Sequence, residues 1–319
     1  MNCFKRSFLV LILIALLLPG CESANTTVNP ITSNPWTAYN TKNVIIVVID
    51  GPRFKETWGD PLKIHIPRLA NELAPEGINH NRFYNRGATY TTSGLVAITT
   101  GTYQWMANDG SEIPFYPSIF QAWLEKSRDN PNKALIVTSK QKLAVLGDCV
   151  LPQWRGKFNP MVDAVDRDDK ETLVVALQTM KRHHPRMALI HFRGPDMYGH
   201  ANDWANYIKS INETDQYTYD IWKFLQNDSI YQDVTTLIVT NDHGRHNDGV
   251  RDGFINHGDF CEGCMHINLY ITGPDFQSNL IADQPREVVD IAPTVAELMG
   301  FQYGTSASTV MWELFRNEP

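Results

Sequence analysis

Three aspartates in this chain each follow an aliphatic run, and two of them have a histidine at short spacing. Asp50 ends Val44-Ile45-Ile46-Val47-Val48-Ile49. Asp196 follows Met187 to Phe192 and precedes His200 by four residues, and Asp242 follows Thr236 to Thr240 with His243 beside it. One aspartate after a strand is ordinarily a turn residue or a helix cap. Three arriving at one place, with imidazoles, form a set of ligands suited to zinc and similar transition metals. Carboxylates gathered in a buried crevice repel one another and lose hydration, at several kcal/mol per ion, unless cations neutralise them. Bound metal is the simplest remedy.

The elements that must position these residues can be read from hydrophobic patterning. The run from Val44 to Ile49 does not alternate, as expected of a strand buried on both faces of a parallel sheet. Similar runs occur at Ala134 to Thr138, Met187 to Phe192, Thr236 to Thr240 and Ile267 to Ile271. Between them lie helical patterns, one placing Trp204, Tyr207, Ile208, Ile211, Trp222 and Leu225 on one face, another running through Leu173, Val174, Leu177 and Met180. Strands alternating with helices predict a single α/β domain with a mainly parallel central sheet flanked by helices. In such a sheet the ligand crevice lies beyond the carboxyl ends of the strands, where all three aspartates fall.

Several stretches taken in order resemble the metal motifs of the alkaline phosphatase superfamily, nearest its nucleotide pyrophosphatase/phosphodiesterase branch. They are Val47 to Gly51, Gly194-Pro195-Asp196-Met197-Tyr198-Gly199-His200, Asn241-Asp242-His243-Gly244 and His257-Gly258, followed by Gly273-Pro274 and Asp290-Ile291-Ala292-Pro293-Thr294. The resemblance implies a two-metal phosphoester hydrolase with a sulfatase-like fold. It assigns Asp196, His200 and His257 to one metal and Asp50, Asp242 and His243 to the other, together with the nucleophile. Zinc is the expected metal, with manganese the alternative. Three carboxylates and one alkoxide balance the charge of two divalent cations.

The same resemblance places the nucleophile ten residues before the glycine of Thr100-Gly101, at Thr91, with Thr92 as the neighbouring alternative. A threonine hydroxyl is a weak nucleophile that a coordinated cation can activate. Sulfatases of the superfamily carry a Cys or Ser within C/S-x-P-x-R, and Ser93 and Leu95 stand where that context needs Pro and Arg. The expected activity is therefore phosphate-ester hydrolysis, as a phosphodiesterase or phosphatase. The alternatives are a sulfatase-like or phosphonate hydrolase, or a non-catalytic lipoprotein that binds phosphorylated ligands. Asn108, Arg245 and Tyr198 are candidate substrate contacts.

The N-terminus sets an expected compartment. Residues 1–20 hold Lys5 and Arg6, no acid, and an apolar run from Phe8 to Leu18 that is shorter than the about 20 residues a membrane span needs. Leu18-Pro19-Gly20-Cys21 resembles a lipoprotein signal, implying lipid on Cys21, export to the periplasm or cell surface, and membrane anchoring. Residues 21–42, rich in Asn, Thr, Ser and Pro, read as a tether, leaving 43–319 as the catalytic domain. The net charge of −7 becomes two units more negative without the signal, which argues against nucleic-acid binding. Cys261-Glu262-Gly263-Cys264 could be a loop disulfide, a pair of soft metal ligands with His266 nearby, or inert thiols, with Cys149 left over.

Overall fold

The computed structural model describes residues 39–303 and 308–316. The signal sequence, Cys21 and most of the expected tether lie outside them. Nine strands form one sheet in the order β4-β3-β5-β1-β6-β7-β2-β8, with β9 pairing β2. The parallel centre consists of β3 (Ala134–Thr138), β5 (Met187–Phe192), β1 (Asn43–Ile49) and β6 (Thr235–Asn241), joined on one side by β4 (Met161–Ala164). On the other side β7 (His266–Thr272) runs antiparallel to β6 and to β2 (Ile78–Tyr84), while β8 (Leu280–Ala282) and β9 (Arg286–Glu287) run parallel to β2.

β1 explains the missing alternation, because every one of its residues is buried. Val44, Ile46 and Val48 join one core with helices α1 (Thr91–Thr100), α2 (Ile119–Ser127) and α7 (Ile291–Leu298). Ile45, Val47 and Ile49 join a second core with α3 (Asp169–His183) and α5 (Trp204–Asn227). Both faces of the sheet are therefore covered, as the pattern predicts.

The helix ends follow from local chemistry. Asp168 caps α3 by accepting from the Glu171 N–H, Asp203 caps α5 by accepting from the Asn206 N–H, and Ser118 and Gln121 form a capping box on α2. On α5 the face is less apolar than the aliphatic and aromatic positions imply: Thr214 and Thr218 are buried, while Trp204 is 45% exposed, its ring against the Arg53 guanidinium. α4 (Gly194–His200) and α6 (Glu262–Met265) are short.

The residues just before β1 are held in place: the backbone N–H groups of Asn40 and Thr41 donate to the Asp275 carboxylate at 2.9 and 2.7 Å, and Tyr39 donates to Glu297.

Candidate active site

Asp50, Asp196, Asp242 and His243 reach one site because β5, β1 and β6 are adjacent and parallel. Ile49 is in register with Phe192 on one side and Asn241 on the other, so the residues just beyond all three strands emerge together. α4 begins directly after β5, its Arg193 and Gly194 N–H groups held by the Asp169 carboxylate at 2.8 and 2.7 Å, which turns Asp196 inward. Gly51 adopts φ +66°, and a Cβ there would sit 3.0 to 3.2 Å from Arg245, His243 and Asp196. The turn after β1 has no room for a larger residue.

The six carboxylates and imidazoles expected at the metals come together, and Thr91, the seventh residue, is linked to Asp50 and Asp196 through Lys140. His243 Nε2 lies 3.4 Å from both Asp50 Oδ1 and Asp242 Oδ2, forming a group buried from solvent. His200 Nε2 and His257 Nε2 each lie 3.2 Å from Asp196 Oδ1 and 3.0 Å from each other. His243 stacks on His257 with ring centroids 3.7 Å apart, linking the two groups.

The proton arrangement of these rings decides whether a cation fits. His243 Nδ1 donates to the Gly244 carbonyl at 2.9 Å and His257 Nδ1 to the Thr89 carbonyl at 2.7 Å. His200 Nδ1 meets Asn256 Oδ1 at 3.0 Å, in an amide whose nitrogen donates to Asp252. With each Nδ1 tied to an oxygen, three Nε2 lone pairs point at carboxylates and at one another. Asp50 Oδ1, Asp242 Oδ2 and His243 Nε2 are buried without a hydrogen-bond partner. Lone pairs converging with no hydrogen between them suit positive charge, and the residues present fit divalent metal.

The electrostatics agree. Burial and the neighbouring Asp50 push the Asp242 carboxyl well above the usual range. Burial and Asp196 act the same way on Asp50, but Lys140 and the hydrogen bond from His191 outweigh them and hold it low. Asp196 is also held low against its burial by Lys140, His200, His257 and Arg245. Burial, with His257 alongside, keeps His243 neutral.

Thr91 is the first residue of α1 and is buried, its Oγ1 3.4 Å from Lys140 Nζ. Gly94 lets the helix lie directly on Asp242, because a Cβ at this position would be 2.5 Å from the Asp242 carbonyl oxygen. Thr92 faces elsewhere: its N–H and hydroxyl both donate to Asn108 Oδ1 at 3.1 Å. Asn108 is exposed beside α1, its oxygen also accepting from Lys142 and its amide nitrogen left as the donor.

Of the other two expected substrate contacts, Arg245 is fully buried, its guanidinium donating to Asp196 and to the carbonyls of Phe254 and Ile255, an arrangement that suits orienting a carboxylate. Tyr198 is half-buried against the second core and lines a groove with Arg193, Lys209 and Tyr217 that does not include Thr91.

Sequence reasoning missed Lys140 and His191. Lys140 Nζ lies 2.6 Å from both Asp50 Oδ2 and Asp196 Oδ2. It stands two residues beyond β3, at the same sheet edge as the aspartates, and that position was its signal. His191 Nε2 donates to Asp50 Oδ2 at 3.0 Å, and its only signal was an imidazole in an otherwise apolar strand.

Residues 160–303 match the model of the Metalloenzyme superfamily, a span that holds Asp196, His200, Asp242, His243 and His257 and leaves Asp50 and Thr91 outside. No curated protein sequence matches the chain. Among solved structures, murine ectonucleotide pyrophosphatase/phosphodiesterase 5, an inactive threonine-to-alanine variant in complex with AMP, aligns with TM-score 0.62 at 15% identity, over 86% of this chain and 100% of that one. A protein in the alkaline phosphatase superfamily from Vibrio parahaemolyticus aligns with TM-score 0.60 at 16% identity, over 84% and 68%. Phosphonate monoester hydrolase of Agrobacterium radiobacter aligns with TM-score 0.59 at 14% identity, over 83% and 76%. Residues 160–303 are thus similar to the Metalloenzyme superfamily, and the chain has an alkaline phosphatase-like fold.

Proposed function

We propose that this protein is a metal-dependent hydrolase of phosphate esters with Thr91 as nucleophile. The observation that carries the reading is the convergence of three Nε2 lone pairs with three aspartates beside a buried threonine hydroxyl at a helix start. The inactive threonine-to-alanine variant of the murine relative, bound to AMP, supports a threonine in this role.

Asp50, Asp242, His243 and Thr91 would hold one divalent ion, and Asp196, His200 and His257 the other, with zinc the metal that suits mixed imidazole and carboxylate ligands. Such ions supply Lewis-acid charge to the attacking and leaving oxygens and acidity to a water. Thr91 Oγ attacks phosphorus in line with the leaving oxygen, the ester bond breaks as the phosphothreonine bond forms, and the leaving oxygen departs with a proton in place of the one lost from Oγ. Water then attacks phosphorus from the opposite side, the bond to Thr91 Oγ breaks, and Oγ regains a proton, releasing phosphate from a monoester or a phosphomonoester from a diester. Lys140 carries positive charge next to Thr91 and stabilises negative charge on the nucleophile and on a non-bridging oxygen. Asn108, its carbonyl oxygen fixed by three donors, presents its amide nitrogen as a donor to a second oxygen. Tyr90, 6.0 Å from His257 and 6.1 Å from the exposed Trp105, forms an aromatic wall for the leaving group.

Lys140 and Arg245 add two positive charges that the sequence count omitted, so the loaded site suits an anionic tetrahedral ester. Purified protein assayed with nitrophenyl phosphate, bis-nitrophenyl phosphate, a phenyl phosphonate ester and nitrophenyl sulfate tests the substrate class. Phosphoester turnover lost on chelation supports the reading, and sulfate turnover without phosphoester turnover overturns it.

The N-terminal pattern supports an exported lipoprotein anchored through Cys21. Replacing Cys21 with serine should move the protein from the membrane fraction to the soluble fraction. Equal membrane association of the two would count against anchoring at that residue.

A further inference from the structure

A second set of metal-binding side chains lies outside the seven-residue group and shares no residue with it. His246, Asp259, Cys261 and Cys264 each present a ligand atom, and the four atoms lie within 4.8 Å of one another. His246 and Cys264 are buried, and both cysteines are free thiols. The expected partner, His266, is not in the cluster; its Nε2 donates to the Asn81 carbonyl and its ring stacks between Phe54 and Tyr84.

His246 carries the argument. Its Nδ1 lies 2.7 Å from the Asp252 carboxylate, which fixes the proton there and turns the Nε2 lone pair towards the cysteines. That Nε2 is 3.3 Å from Asp259 Oδ2 and makes no hydrogen bond, in a residue only 4% exposed. The backbone is shaped around the same point. The Cys261 N–H donates to Asp259 Oδ1 at 3.0 Å, and the Cys264 and Met265 N–H groups donate to the Cys261 carbonyl at 3.1 and 3.0 Å, so both sulfurs sit on one tight knuckle. Cys-x-x-Cys with one imidazole and one carboxylate supplies four ligands, the number a closed tetrahedral zinc site takes.

We propose that His246, Asp259, Cys261 and Cys264 bind one structural zinc ion. With four protein ligands the site has no open position for chemistry. It ties the loop after β6 to the start of β7, and this loop carries His257 and Asn256, the latter accepting from the His246 N–H through its backbone and contacting His200 through its side chain. The ion therefore fastens the segment that presents His200 and His257.

The test uses the full chain, purified without chelator. Wild type should hold one more zinc per chain than the C261S/C264S variant. On reconstitution with cobalt, wild type should show thiolate-to-cobalt charge-transfer absorption that the seven-residue group, having no sulfur ligand, cannot produce. Equal zinc content in both proteins, absence of the thiolate band from wild type, or a Cys261–Cys264 disulfide in the native protein would each overturn the site. The wild-type cobalt spectrum decides the matter even where the variant does not fold. Phosphoester turnover without a thiolate band would remove the zinc knuckle and leave the hydrolase reading intact.

Discussion

The seven-residue group and the His246 cluster use the same device on neighbouring stretches of chain. In each, a histidine has its Nδ1 tied to an oxygen and its Nε2 buried without a hydrogen-bond partner. They differ in where the ligands come from. The first draws on the ends of β1, β5 and β6 and on residues from Asp50 to His257, with His200 partly open to solvent. The second takes all four ligands from residues 246–264 and includes two sulfurs. A group built from distant strands is held rigidly by the sheet and can leave room for a substrate, whereas a short loop closing on itself suits a fastening role.

The largest separation between the two should come from Thr91→Ala. It removes the proposed nucleophile without touching a carboxylate or imidazole, and turnover should fall on the order of 10⁴-fold or more while zinc content stays nearly unchanged. Retained turnover would break the assignment of chemistry to the sheet-edge group.

Asp242→Asn should lower metal occupancy at the inner group and reduce turnover on the order of 10²-fold or more. Its effect on the metal-free protein has the opposite sign. Burial beside Asp50 raises the Asp242 carboxyl in the folded state, so the stability tied to its proton is complete below the unfolded value near 3.8 and is lost as pH rises through the higher folded value. In chelator near neutral pH the variant should therefore melt above wild type, and the gap should narrow as the solution is acidified. A variant that melts lower throughout would show that the carboxylate is not under strain.

Arg245→Met tests an orienting role against a substrate contact. Removing the buried guanidinium takes one of two cationic partners from Asp196, Lys140 remaining, strips the Phe254 and Ile255 carbonyls of their donor, and should cost about 3 kcal/mol of stability in denaturant unfolding. A raised KM with unchanged stability would restore Arg245 to the substrate side. The smallest effect is expected for Asn108→Ala, about tenfold or less in kcat/KM, because one exposed neutral hydrogen bond is worth about 1 kcal/mol. No change at all would make Asn108 only a cap for Thr92.

The parallel centre of the sheet was legible because fully buried strands leave unbroken aliphatic runs, as in β1 and β5. β2 was not, since Ile-Asn-His-Asn-Arg-Phe-Tyr has neither a run nor clean alternation, and it becomes a strand through antiparallel pairing with β7. Asp50, Asp196 and Asp242 were legible because each ends or closely follows such a run. Lys140 holds a similar place but looks like any loop lysine until β3 is seen beside β5. Arg245 looks like a free cation beside a metal motif, and only the position of the Phe254 and Ile255 carbonyls shows that its fork is already occupied.

The chain by itself determined the ligand chemistry and the edge of the sheet at which it appears, because residue type and the end of a hydrophobic run are local properties. The tertiary structure decided which groups meet: that Thr91 faces Lys140 while Thr92 turns to Asn108, that Arg245 points inward, and that the Cys261 knuckle meets His246 and not His266. Those outcomes depend on strand order and loop packing across tens to hundreds of residues, and local sequence carries no record of either.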